Sequence, residues 1–287
     1  MNALLGLIGR RLLGGYSLAF FVFLYLPIGL IVAYSFNGNP LNMMIWSGAS
    51  LDWYRSLFGL SNSLSENALY VESTGQLLAA LRTSLAVALV TTLISTLVGT
   101  LTALALARYR FRLQGFYRVL LFLPMLMPDI VLGIALLIFF VGAGVPLGKG
   151  SIIIGHCTFL ISYVFLIVSA RLAGMDTRLE EASADLGASA WTTFRRITLP
   201  QILPGVLGGA LLAFIISMDD LVITYFISGV DSTTLPVFIY GMIRRGIKPE
   251  INAIATLLLL ASLLIASLGL YLRNRKPATS SDDHAHG

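Results

Sequence analysis

The sequence predicts an all-α integral membrane protein with six transmembrane helices, and three observations predict it. Of the 287 residues 57% are apolar and only 11% charged, with a mean hydropathy of +0.86. No single globule of that size hides so much hydrocarbon from water. Apolar runs recur at the length needed to cross the hydrocarbon core, about 20 residues. The 19 basic residues, which outweigh 14 acidic ones for a formal charge of +5, gather at the ends of those runs instead of forming a stripe or patch. Such placement is a topology signal and excludes nucleic acid as a partner.

Six runs qualify, near residues 16–36, 78–107, 116–142, 151–172, 202–228 and 251–272, within a single membrane domain over 1–276. The first follows Arg10 and Arg11 without a small-residue cleavage site, so it reads as a retained span and not a signal peptide. Span two ends on Arg108, Arg110, Arg112 and Arg118, and span four on Arg171 and Arg178. Arg195 and Arg196 precede span five, and Arg273, Arg275 and Lys276 follow span six. All these clusters share one face, which the positive-inside rule makes cytoplasmic, with both termini on it. Arg244, Arg245 and Lys248 run against the rule on the opposite face, in a loop whose apolar run Val237–Ile243 is too short to cross and reads as a half-buried gate or lid helix. The long external loop over 40–76 carries Trp46, Asp52, Trp53, Tyr54, Glu66 and Glu72. The tail over 277–287 is polar and expected to be disordered, so His284 and His286 read as solvated residues and not metal ligands. Cys157, the single cysteine, lies in an apolar stretch and reads as a core residue.

The loop over 176–200 is the most informative segment. Thr177 and Glu180 have capping-box spacing, so a short helix is expected from about Arg178 to Leu186, with Gly187 as its left-handed stop. Ser189 then caps a second helix carrying Trp191, Phe194 and Ile197, expected to end before Pro200 because proline removes a backbone donor. Two short helices set at an angle form a knob, which an amphipathic connector lying in the headgroups does not require.

Three acidic residues, Asp129, Asp219 and Asp220, fall inside predicted spans. An acidic side chain at mid-membrane costs about 2.5–3.5 kcal/mol on insertion scales, so these should face a cavity or a partner. Asp219 and Asp220 point roughly 100° apart on one helix, so one of them has a different neighbour from the other. Asp129 follows Pro128, with Pro124 a turn earlier, and can either satisfy amides freed by a kink or serve with the others as an anionic station for a cation. Aromatic faces such as Tyr225, Phe226 or Phe214 can assist a cation, though packing alone also accounts for them. His156 is a lone histidine and reads as a packed core residue.

The loop resembles the cytoplasmic coupling loop of permease subunits in ATP-binding-cassette importers. Glu181-Ala182-Ser183, three residues, Gly187, nine residues and Ile197-x-Leu199-Pro200 match that pattern, with Ser183 where the family usually has alanine. Tyr34-Ser35-Phe36-Asn37, Ala107 to Arg112, Met127-Pro128-Asp129-Ile130-Val131, Ser217 to Val222 and Pro249 to Ala253 resemble the second permease of spermidine/putrescine importers over nearly the whole chain. The resemblance implies a type I importer permease fold in the bacterial inner membrane. It also implies a second homologous permease, two cytoplasmic ATPase subunits, an extracytoplasmic polyamine-binding protein and surrounding lipid. ATPase contacts are expected at Glu181, Ala182, Asp185, Gly187, Leu199 and Pro200, and the substrate route at Asp129, Asp219, Asp220 and Tyr225.

No phosphate-cradling Gly-x-x-x-x-Gly-Lys-Ser/Thr is present; the nearest approach, Gly148-Lys149, has Ala143 and Gly150 at the other required positions. ATP is therefore expected on a partner, with no cofactor, metal or catalytic residue in this chain. Other readings are an importer permease for another small organic cation or an amino acid, and an ion-coupled secondary transporter. The latter has no need of a docking knob.

Overall fold

The structure is a computed structural model that describes residues 2–39, 45–60, 68–243 and 250–274. The Arg244, Arg245 and Lys248 cluster, Glu66, the 277–287 tail and its two histidines lie outside the described residues. Among the described residues the chain is helical, and its β pairing is one isolated bridge, Asn37 to Ala49. It divides into two compact units, residues 1–74 with 242–287, and residues 75–241.

In the first unit, α1 (Asn2–Tyr34) packs against α12 (Glu250–Asn274), which also meets α2 (Asp52–Leu57). Nothing in the apolar window Leu12–Tyr34 is buried. A helix satisfies its own backbone, so such a segment can present apolar side chains all round to lipid. The residues after α1 fold on Asn37, which is fully buried. Its carboxamide donates to Ile45 O at 2.9 Å and accepts the amide of Ser47 at 3.1 Å. Its own carbonyl accepts Nε1 of the buried Trp53 at 2.8 Å. A short helix therefore stands inside the loop expected over 40–76.

The second unit holds α4 (Gln114–Leu126), α5 (Asp129–Gly142), α6 (Lys149–Ala173), α7 (Arg178–Asp185), α8 (Ala190–Thr193), α9 (Leu199–Asp219) and α10 (Val222–Ile227), with most of α3 (Ala68–Arg108) and of α11 (Leu235–Ile243). Its core gathers Phe140, Leu160, Val164, Val168, Ile223 and Ile227 from α5, α6 and α10. Helices meet closely through glycine: a Cβ on Gly133 would lie 2.8 Å from the Phe226 ring, and one on Gly155 would strike Ile227 Cδ1. Leu235 N, opening α11, donates to Ser84 Oγ of α3 at 2.8 Å.

Two predicted spans are interrupted. The run over 116–142 is α4 and α5, bent by 106° across Met127 and Pro128. Proline excludes its predecessor from helical dihedrals, and Met127 is extended at ψ 140. The run over 202–228 breaks at Asp220, also extended at ψ 118, so Asp219 and Asp220 stand at a helix end and not within a continuous helix. Gap-free apolar helices long enough to cross a membrane are present at Leu12–Tyr34, Gly75–Arg108, Lys149–Ala173 and Ala190–Asp219.

The Ala190–Asp219 segment corrects a second expectation, since Pro200 does not stop a helix. Residues Phe194–Thr198 form a π turn in which Leu199 N donates to Phe194 O, one residue wider than α geometry. The wider turn carries the chain past the proline ring, so Pro200 takes its place at the start of α9 without ending the helical run.

Candidate functional site

Polar groupings interrupt the apolar packing of the second unit at the corner of α7, α8 and α9 and at the break between α9 and α10. At the corner, the expected Thr177–Glu180 capping box is not formed. Thr177 has helical dihedrals and no side-chain cap bond, while Asp176 Oδ1 accepts the amide of Arg178 at 3.0 Å. Glu180 turns elsewhere because it finds a charged partner: its Oε1 accepts from Arg108 Nη2 at 2.5 Å and from the Thr198 hydroxyl. Charge-assisted bonds are roughly twice as strong as neutral ones, which outweighs a cap.

Glu181, Ala182 and Asp185 are exposed on α7, and Gly187 ends the helix at φ +77°, a conformation open to glycine. Ser189 Oγ accepts the Thr192 amide at 3.3 Å, as a cap of α8 should. Ser183 Oγ lies 2.9 Å from Thr193 Oγ1, so the residue that departs from the alanine pattern ties α7 to α8. Pro200 is exposed and Leu199 half-buried, while Leu186 and Trp191 present 88% and 68% of their surfaces. Large apolar side chains this bare are available to seat against another surface. Beside the corner a cleft of about 500 Å³ is lined by Arg108, Arg118, Phe122, Phe165 and Glu180 among others.

At the break, Asp129, Asp219 and Asp220 all line one cleft of about 370 Å³, with Pro124, Phe159 and Tyr163. The three residues come from two predicted spans, and both helix breaks open onto the same space. Asp129 is exposed at the start of α5, where the helix dipole favours a carboxylate. Asp219 is exposed and Asp220 half-buried. Asp220 Oδ2 accepts the amide and hydroxyl of Thr224 at 2.8 and 2.7 Å and meets His156 Nε2 at 3.2 Å. His156, with no exposed surface, also pairs with Thr224 Oγ1 at 2.9 Å and, through Nδ1, with Ser217 Oγ at 2.8 Å. The histidine is thus packed as expected, but it also pins α6 to both sides of the break. Tyr225 is not part of the cleft lining; it stands edge-on to Tyr240 and Phe226, half exposed. Among the described residues no cluster of His, Cys, Asp or Glu can hold a metal ion.

Residues 95–276 match the family described as binding-protein-dependent transport system inner membrane component. The chain belongs to that family. The permease is 39% identical over 277 residues to the spermidine/putrescine transport system permease protein PotC of Escherichia coli (strain K12), covering 96% of this chain and 99% of that one. It is 38% identical over 262 residues to the putrescine transport system permease protein PotI of the same strain, covering 89% and 88%. Among solved structures it resembles a chain of a bacterial ABC transporter involved in the import of the acidic polysaccharide alginate. The TM-score is 0.64 at 16% identity, covering 94% of this chain and 96% of that one. A second alginate transporter structure, in complex with a pentasaccharide-bound periplasmic protein, gives 0.63 at 17% identity, covering 93% of each chain. The permease therefore has the type I ABC importer fold. It is a multi-pass inner-membrane subunit with a transport role, in a family whose permease subunits carry no cofactor themselves.

Proposed function

We propose that the permease forms half of the translocation pathway of an ATP-driven spermidine/putrescine importer. The observation that carries this is the cleft in which Asp129, Asp219 and Asp220 converge at two broken helices. Unwound backbone and carboxylates within the membrane are tolerated where they line a route for a polar substrate. A polyamine losing its hydration shell needs anionic stations, and the exposed Asp129 and Asp219 supply them while Asp220 is held by His156 and Thr224. The cation-attracting ring of Tyr225 serves as a further contact outside the cleft. The names of the relatives support the cargo.

The remaining parts follow from the importer class. A second homologous permease completes the pathway, and an extracytoplasmic polyamine-binding protein delivers the substrate. Two ATPase subunits bind the ATP. One grips α7 through Glu181, Ala182 and Asp185, with Gly187 and the Leu199-Pro200 step setting the knob's angle. Both chain termini lie on that cytoplasmic side, and α1 faces lipid or the partner permease.

The test is uptake of radiolabelled spermidine and putrescine by the complete reconstituted complex, normalised to assembled complex. A hydrogen bond to a charged group contributes about 1.5–3 kcal/mol, so Asp129→Asn or Asp219→Asn should weaken polyamine handling about tenfold or more. Full uptake in both variants removes the carboxylate route. Uptake of neither polyamine by the wild type moves the cargo to another small organic cation or an amino acid.

A further inference from the structure

Glu180 joins three helix ends that are distant in the chain. Its Oε1 accepts from Arg108 Nη2, in the last turn of α3, and from the hydroxyl of Thr198, in the π turn leading into α9. Arg108 Nη2 also donates to Thr198 Oγ1 at 3.2 Å, closing the triangle. Thr198 is fully buried, and the Glu180 and Arg108 side chains are 19% and 43% exposed. Helix polarity favours the arrangement, since the cation stands at a C-terminus and the anion in a first turn.

The secondary structure of α7 does not account for this carboxylate. Asp176 serves the first turn and Gly187 ends the helix, while the neutral Ser183–Thr193 pair already joins α7 to α8. We infer that Glu180 is a positioning residue for energy coupling, a latch that passes any displacement of α7 to α3 and α9 together. This rests on the reading of α7 as the ATPase contact. Without the latch, the Ser183–Thr193 pair still ties α7 to the helical run that leads into α9, but the turn over 174–177 can let α7 part from α3. With it, α3 and the start of α9 follow α7 together. The far end of α9, 21 residues on, is Asp219, one wall of the aspartate cleft. At 1.5 Å per residue the helix spans about 30 Å, so one helix, continuous although Pro204 lies within it, links the latch to the cleft.

The test uses the whole reconstituted complex and reads polyamine taken up per ATP hydrolysed, a ratio that loss of folded protein does not change. Mutations along a coupling network shift it by about 0.5–2 kcal/mol, so Glu180→Gln and Arg108→Glu should each lower the ratio about fivefold. The ATPase should still co-purify at wild-type stoichiometry. The reversed pair, R108E with E180R, should recover at least half of the wild-type ratio. Thr198→Val, which keeps shape and removes the hydroxyl, should lower the ratio in the same direction and reads the latch if the Glu180→Gln permease itself does not fold. An unchanged ratio in assembled E180Q and T198V, or a reversed pair no better than its single variants, overturns the latch. Loss of the ATPase from E180Q also overturns it, since that result makes Glu180 a docking contact. Disulfide trapping from Glu181→Cys to the ATPase tests the docking reading separately, in a chain whose latch is intact.

Discussion

Replacing His156 with leucine removes the group that pins the broken helix to α6 while filling nearly the same space. The imidazole has no exposed surface and the Asp220 side chain is 8% exposed, so solvent cannot replace what is lost. The bond to Asp220 has a charged acceptor, worth about 1.5–3 kcal/mol, and the bonds to Ser217 and Thr224 are neutral, worth about 1 kcal/mol each. The Ser217 hydroxyl can turn to a carbonyl a turn earlier in its helix and recover much of its share, while the Thr224 hydroxyl keeps its bond to Asp220. Asp220 keeps the two Thr224 donors, so it is not stranded as a bare charge. The expected destabilisation is therefore about 2–4 kcal/mol. Equilibrium unfolding in mixed detergent micelles, followed by circular dichroism, measures it. The decisive form is a cycle of His156→Leu, Asp220→Asn and the double variant, in which the pair should show an interaction energy of about 1.5–3 kcal/mol. Additivity within about 0.5 kcal/mol would refute the view that these side chains act as one clamp.

Gly187→Val places a β-branched residue at φ +77°; uptake should fall with the ATPase-to-transport ratio disturbed, and wild-type coupling in reconstituted vesicles would remove the hinge role. Gly155→Val should lower thermal stability by at least 1–3 kcal/mol, roughly the cost of overpacking, because its first side-chain atom already meets Ile227; differential scanning of the purified chain checks this. Cysteines placed at Arg110 and Arg195 should react with impermeant thiol reagents only from the cytoplasmic side, and labelling of the second from outside in intact cells would reverse the topology.

Run length and composition made the helices legible, because a 20-residue apolar stretch has few alternatives in a membrane. The two breaks were harder. The average over a span's length stays apolar across Met127-Pro128, and the runs on both sides of Asp219-Asp220 are apolar too, so run length registers a single span where the backbone turns by 106° or becomes extended. Pro124 and Pro128 did signal a kink, but proline alone does not state its size. The three aspartates were legible by cost, and the structure brings them together in one cleft. Their distinct environments were not, because the partner of Asp220 lies 64 residues away. Glu180 shows the same limit: its spacing from Thr177 suggested a local cap, and the bond it makes instead reaches Arg108, 72 residues back. Pairings of that range leave no periodic trace.

The glycines beneath α10 decide where this molecule can bend. Phe226 and Ile227 seat so closely on Gly133 and Gly155 that α10 has no room to slide across α5 or α6. Its far end is fastened as well, since Ser151 Oγ donates to Ile227 O at 2.8 Å and Gly229 sits against the Leu147 carbonyl. These three helices form one closely packed floor. α9 meets this floor along α6, where Val164 lies against Gly209 and His156 bonds Ser217, and it continues into α10 through the extended Asp220, so the aspartate cleft has one wall set in the floor and one at the end of α9.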